Sequence, residues 1–154
     1  MNHKGYYFLF LVMVLLDQFT KHFFVSSFNL GQSMYVNAYL SWTYLQNTGA
    51  AFSILADGGP IQKTFLLGIS VFVSIVVIVW IQKTEVFQRQ KLLGQFSLLS
   101  GAVGNLIDRA QYGYVIDFID VHVNSFYWPV FNLADSFIFI GVILLLFERK
   151  QPSK

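Results

Sequence analysis

Cysteine is absent from the 154-residue chain, which excludes disulfides, thiolate metal ligands and a cysteine nucleophile. Charge is also scarce. Asp, Glu, Lys and Arg make up 12% of the residues, where a water-soluble domain devotes roughly a quarter. A soluble core of this length would leave much of the apolar surface in water. The formal charge of +2 is small and its cations are scattered, so no nucleic acid is expected as a partner. Histidine occurs three times without H-x-x-x-H or comparable ligand spacing, so neither a metal nor a cofactor is expected. His22 and His122 have no serine in an evident nucleophile setting, which argues against Ser–His hydrolysis.

What remains is strongly apolar. Hydrophobic residues make up 55% of the chain and Phe occurs 17 times, with a mean hydropathy of +0.56. Disordered chains are poor in aromatics and rich in charge, so disorder is excluded and lipid is the expected solvent. A bilayer core takes about 20 apolar helical residues. Four runs approach that length: Tyr6 to Val25, Phe65 to Ile81, Leu92 to Ile107 and Phe131 to Phe147. The expectation is one membrane domain over 1–154, an all-α bundle of four transmembrane helices. The first run holds ionisable residues and lacks a small-residue cleavage site, so it reads as a retained anchor. SGAVGN, Ser100 to Asn105, supplies small residues where two helices can approach closely.

Cations suggest the orientation. Lys4, then Lys83, Arg89 and Lys91, then Arg149, Lys150 and Lys154 lie on the termini and on the connection between the second and third spans. By the positive-inside rule these segments are cytoplasmic. The opposite side then holds 26–64 and 109–130. From Met34 to Tyr44 the even positions read Met, Val, Ala, Leu, Trp, Tyr, against Asn37, Ser41 and Thr43 among the odd ones. This period-two alternation predicts a short strand or hairpin, a small extracytoplasmic β segment. His122 to Phe131 is rich in aromatics that suit the headgroup region.

Ionisable groups at membrane depth cost about 2.5 to 3.5 kcal/mol on insertion scales, so each calls for a partner or a function. Asp17 and Lys21, spaced i,i+4, share one helix face and read equally as an ion pair or as a contact for a polar substrate. Asn47 and Gly49 sit in QNTGAAFS, a turn offering amide and backbone hydrogen bonds. The outer end of the third run supplies Asn105, Asp108, Arg109, Asp117 and Asp120. FNLADS then opens the fourth with Asn132 and Asp135, the latter about one turn into the helix, where the macrodipole favours an anion. Two facing Asp cannot both ionise, so one keeps a proton while the other takes one from water, which is acid–base hydrolysis of an amide. A transporter or channel subunit and a scaffold whose polar groups only hold helices together are the competing readings; against the first, the acids gather at one end rather than along a path.

At these residues the sequence resembles the lipoprotein signal peptidases, the bacterial intramembrane aspartyl peptidases also called signal peptidase II. Five blocks carry the resemblance in order: D-x-x-x-K at Asp17 and Lys21, N-x-G-x-A-F from Asn47 to Phe52, G-x-x-G-N-x-x-D-R from Gly101 to Arg109, G-x-V-x-D-F from Gly113 to Phe118, and F-N-x-A-D-S from Phe131 to Ser136. One departure is Ser100 before Gly101, where many members have a second glycine. The resemblance implies a catalytic pair of Asp117 and Asp135, with Asp17, Lys21, Asn47, Gly49, Asn105, Arg109 and Asn132 as substrate-binding or supporting residues. Asp108 and Arg109 are expected to pair structurally at the end of the third span. The implied substrate is a prolipoprotein carrying a diacylglyceryl cysteine, cut just before that cysteine. Membrane lipids and a globomycin-type inhibitor are the other implied partners. The expected setting is the bacterial inner membrane, with the active site toward its outer face and a monomeric chain.

Overall fold

The computed structural model describes residues 3–49 and 59–148. The chain runs α1 (His3–Ser27), β1 (Ser33–Asn37), β2 (Leu40–Asn47), α2 (Gly59–Gln82), α3 (Arg89–Tyr112), β3 (Val115–Val123), β4 (Phe126–Tyr127) and α4 (Leu133–Leu146). Four helices therefore stand where four apolar runs predict them. Two of them, over Lys4–Ser27 and Gly59–Gln82, are long and apolar enough to cross a membrane, and α4 is a shorter apolar helix.

Burial is inverted relative to a soluble bundle. On α2 the buried residues are Gln62, Ser74, Val77 and Ile81, whereas Phe65, Ile69, Phe72, Ile75 and Ile78 are exposed. On α1, Asp17 and Lys21 are buried while Phe8, Leu11, Leu15, Phe19 and Phe23 face outward. Polar groups turned inward and apolar groups turned outward suit a lipid solvent, where unsatisfied polar groups are costly. The same inversion explains why α3 reads as weakly apolar. It packs against all three other helices, and its Gln95, Ser97, Ser100, Asn105 and Asp108 are buried between them.

Small residues let α3 and α4 approach. A Cβ on Gly101 would collide with the Ala134 carbonyl, and one on Gly141 would lie 2.7 Å from the Gly94 carbonyl oxygen. The close contact expected at SGAVGN is thus made to α4 by Gly101 and to both α1 and α4 by Gly104. Toward the N-terminal end of α3, Tyr6, Val77, Ile81, Leu92, Phe96 and Leu99 form a hydrophobic core, with Tyr6 and Phe96 stacked at 5.6 Å between ring centroids.

The four strands form one antiparallel sheet in the order β1-β2-β3-β4. The predicted hairpin is β1 and β2, joined in the register Ser33↔Thr43 and Met34↔Trp42. Its alternation does not translate into one buried face, because a bulge between Trp42 and Leu45 changes the phase. Ser41 and Tyr44 are the buried residues of β2. β3 extends the sheet beyond the predicted hairpin: it pairs along β2 with Leu45 opposite Asp117 and Asn47 opposite Val115. Its run of Val, Ile and Phe is a strand signal, but four successive buried residues, Val115 to Phe118, remove the period-two pattern.

Candidate functional site

Two chain reversals bring the acids together. α3 ends at Gly113, whose φ of 76° is left-handed and whose N–H bonds the Arg109 carbonyl. Glycine adopts that conformation without a Cβ penalty, and it turns the chain directly into β3. α4 begins at Asn132, whose side chain accepts from the Asp135 N–H at 2.9 Å while Asp135 Oδ2 accepts from the Asn132 N–H at 3.4 Å. This reciprocal capping box satisfies two helix-end donors and places the Asp135 carboxylate in the first turn, as the sequence predicts.

Asp117 is 2% exposed and has a donor on each oxygen. Asn47 Nδ2 donates to Oδ2 at 2.9 Å, and Asn132 Nδ2 donates to Oδ1 at 2.7 Å. Asp135 is half-buried and accepts from Asn105 Nδ2 at 2.7 Å. The two amides are also joined, since Asn132 Nδ2 lies 3.2 Å from Asn105 Oδ1. Burial pushes the Asp117 carboxyl from its ordinary 3.8 up to about 7. The bonds from Asn47 and Asn132 oppose that rise, and the charge of Asp135 adds to it. A carboxyl with such a pKa can hold or release a proton near neutrality.

A second cluster lies behind the first. Lys21 Nζ bonds Asp17 Oδ2 at 2.8 Å, Asp108 Oδ2 at 2.9 Å and Asn105 Oδ1 at 3.0 Å. Of the two readings open for Asp17 and Lys21, the ion pair is the one present, and it is almost fully buried. Asp108 does not pair with Arg109. Neighbours on a helix point about 100° apart, so Asp108 turns to Lys21 while Arg109 Nη1 donates to Ser70 Oγ on α2 at 3.2 Å. Asp120 stands apart, accepting from Thr43 Oγ1 at 2.8 Å.

Gly49 (φ 90°) continues the turn after Asn47, its N–H donating to Asn47 Oδ1 at 2.8 Å. That bond orients the Asn47 amide so that Nδ2 faces Asp117. The rest of the N-x-G-x-A-F block, residues 50–52, lies outside the described residues. Two participants escaped the sequence reading. Gln18 Nε2 donates to Asp108 Oδ1 at 3.0 Å and lies 3.2 Å from Asp17 Oδ2, and Ser70 receives Arg109. Both are polar residues within apolar helical runs, the signal that would have found them.

Two apolar grooves flank the site. One, of about 530 Å³, reaches Asp135 and is lined by Val121, Trp128, Phe131, Ser136, Phe139 and Ile140 as well. The other, of about 540 Å³, lies across β3 against α1, with Phe24, Phe28, Met34, Trp42, Phe118 and Leu133 in its wall. Among the described residues no group of three or more His, Cys, Asp and Glu side chains could hold a metal ion.

The family profile described as Signal peptidase (SPase) II matches residues 9–149. The chain belongs to the signal peptidase II family. Lipoprotein signal peptidases of Alteromonas mediterranea and Cupriavidus taiwanensis are 42% and 44% identical to it. Those alignments cover 87% and 90% of this chain and 74% and 78% of the relatives. Two solved structures of a bacterial membrane enzyme, obtained by the in meso method, superpose with TM-scores of 0.83. They are 32% and 30% identical, covering 93% and 98% of this chain and 90% and 95% of theirs. As a signal peptidase II the chain is a bacterial membrane peptidase that removes signal peptides from prolipoproteins.

Proposed function

We propose that this chain is a single four-span domain of the bacterial inner membrane that cuts diacylglyceryl-modified prolipoproteins just before the modified cysteine, using Asp117, Asp135 and water. The observation that carries this reading is that two acids on different elements, β3 and α4, are held by one pair of linked amides, Asn132 and Asn105. Each carboxyl is thereby aimed by donors that leave its remaining lone pairs available. The pair shares one proton near neutrality. The ionised member takes a proton from water as its oxygen attacks the scissile carbonyl, and the protonated member donates to that carbonyl's oxygen. Collapse breaks the C–N bond and returns a proton to the leaving amine. Titration belongs to the pair rather than to either residue.

The apolar groove beside Asp135 suits a substrate that enters sideways from the bilayer, bringing acyl chains with it. Asn47, beside Asp117, with Gly49 next to it and Arg109 on α3, would supply polar contacts for the peptide, while Asp17 and Lys21 support the site from behind. The distribution of Lys and Arg supports cytoplasmic termini and an outward-facing sheet. The 24 residues of α3 span roughly 36 Å, enough for a bilayer core despite their inward polar groups. The reaction calls for no metal or cofactor, and the domain acts as a monomer inhibited by globomycin.

The test uses purified protein and a diacylglyceryl-modified precursor. Asp117→Asn and Asp135→Asn each abolish cleavage before the modified cysteine while the variants remain folded in membranes. Wild-type turnover by either variant removes the dyad from the reaction.

A further inference from the structure

The cluster behind the dyad touches the backbone at two telling places. Asp17 Oδ1 accepts from the N–H of Ala134 at 2.9 Å, the residue just before Asp135. Asp108 Oδ2 accepts from the N–H of Ile116 at 3.1 Å, the residue just before Asp117. One ammonium joins the two acids, since Lys21 Nζ lies 2.8 Å from Asp17 and 2.9 Å from Asp108. Its third N–H goes to Asn105 Oδ1 at 3.0 Å, so all its donors are used. Lysine cannot accept a hydrogen bond, which forces the oxygen end of the Asn105 amide toward it. The nitrogen end must then face Asp135, as it does at 2.7 Å.

We propose that Asp17, Lys21 and Asp108 act as a clamp that sets the separation of the two dyad carboxyls, with Lys21 as the positioning residue. Asp17 on α1 holds the start of α4, Asp108 on α3 holds the start of β3, and Lys21 ties one hold to the other. Gly104 is part of the device, because a Cβ there would lie 2.5 Å from Asp17 Oδ2. A buried cluster with two anions and one cation is a poor source of net stability. Its bonds to the two backbone N–H groups supply a geometric reason for it. The clamp rests on the dyad reading above and adds to it a mechanism for holding the pair in register.

The experiment measures kcat, KM and the pH–rate profile of Lys21→Met with the same lipid-modified precursor, beside wild type and Asp117→Asn. A pair that shares one proton is active between its two macroscopic pKa values, and their separation shrinks as the carboxyls move apart. The expected result is a kcat lowered about 10- to 100-fold, as for ångström-scale misplacement, with KM within about twofold. The pH optimum narrows as well. Loss of the ammonium's charge alone would move both limbs together without narrowing, and partial unfolding would lower the amount of active enzyme without changing the width. Asp108→Asn keeps an acceptor for Ile116 but loses the ion pair, and it carries the same test if Lys21→Met does not accumulate in membranes. Wild-type kcat and profile width in either folded variant, with Asp117→Asn inactive, overturns the clamp and leaves the dyad standing. Turnover by Asp117→Asn overturns the dyad, and the clamp with it.

Discussion

The two ends of the helical bundle solve the burial problem in different ways. Where α1, α3 and α4 meet the sheet, the interior is built from Asp17, Lys21, Asn105, Asp108, Asp117 and Asn132, each bonded to another element. Toward the other end, Tyr6, Val77, Leu92 and Phe96 pack by shape, and the nearby Gln95 leaves its side-chain oxygen unpartnered. Apolar contacts tolerate small displacements, whereas a hydrogen bond weakens steeply with distance and angle. A helix bundle in lipid can be held together by the second kind of interior alone. The first kind is present where the direction of particular atoms matters.

Asn132→Ala is the strongest way to break this contrast. It removes a donor to Asp117, a contact to Asn105 and the N-cap of α4 together. Steady-state cleavage assays should show turnover reduced by about 10²-fold or more, since misplacement of about 1 Å has that effect. The lost cap should lower stability by only about 1 kcal/mol. Phe96→Ala inverts the pattern: truncating a fully buried ring should cost on the order of 3 kcal/mol, read by thermal unfolding in detergent. Its activity per folded molecule should stay near wild type. If cleavage fell as far as in Asn132→Ala, the two ends would not be separable.

A smaller effect concerns pH. Asp117 is raised from 3.8 to about 7 in the folded protein, so its folded state binds a proton that the unfolded state has released. Its contribution to stability is complete below about pH 4, falls as pH rises toward 7, and is lost above that value. Unfolding curves measured across this window should therefore be flatter for Asp117→Asn than for wild type. Asp120→Asn is the control with the smallest effect. Asp120 bonds Thr43 on the sheet and touches neither carboxyl of the proposed dyad, so cleavage should change less than about twofold, in line with substitutions away from a key network.

Legibility followed the range of each interaction. The place of Asp135 in the first turn of a helix is local and the F-N-x-A-D-S spacing displays it, whereas the reciprocal cap with Asn132 is visible only in the structure. The i,i+4 spacing of Asp17 and Lys21 displays their shared face, but that they bond each other rather than a substrate group is visible only in the structure. Asp108 misled because adjacency in sequence suggested Arg109, whereas the helix turns the two side chains toward Lys21 and Ser70. β3 was missed as a strand because Val115 to Phe118 are buried on both sides, which erases the alternation that marked the hairpin.

Composition and patterning alone determined that lipid is the solvent, that four apolar runs frame the chain and that its acids gather at one end. Those properties are sums over residues or local periodicities, and no fold is needed to read them. Only the tertiary structure decided that Ala134 and Ile116 are gripped by acids from α1 and α3, and that one pair of amides spans Asp117 and Asp135. Such contacts join residues as far as 117 positions apart. Their geometry is set by helix packing and strand register, which no local spacing records.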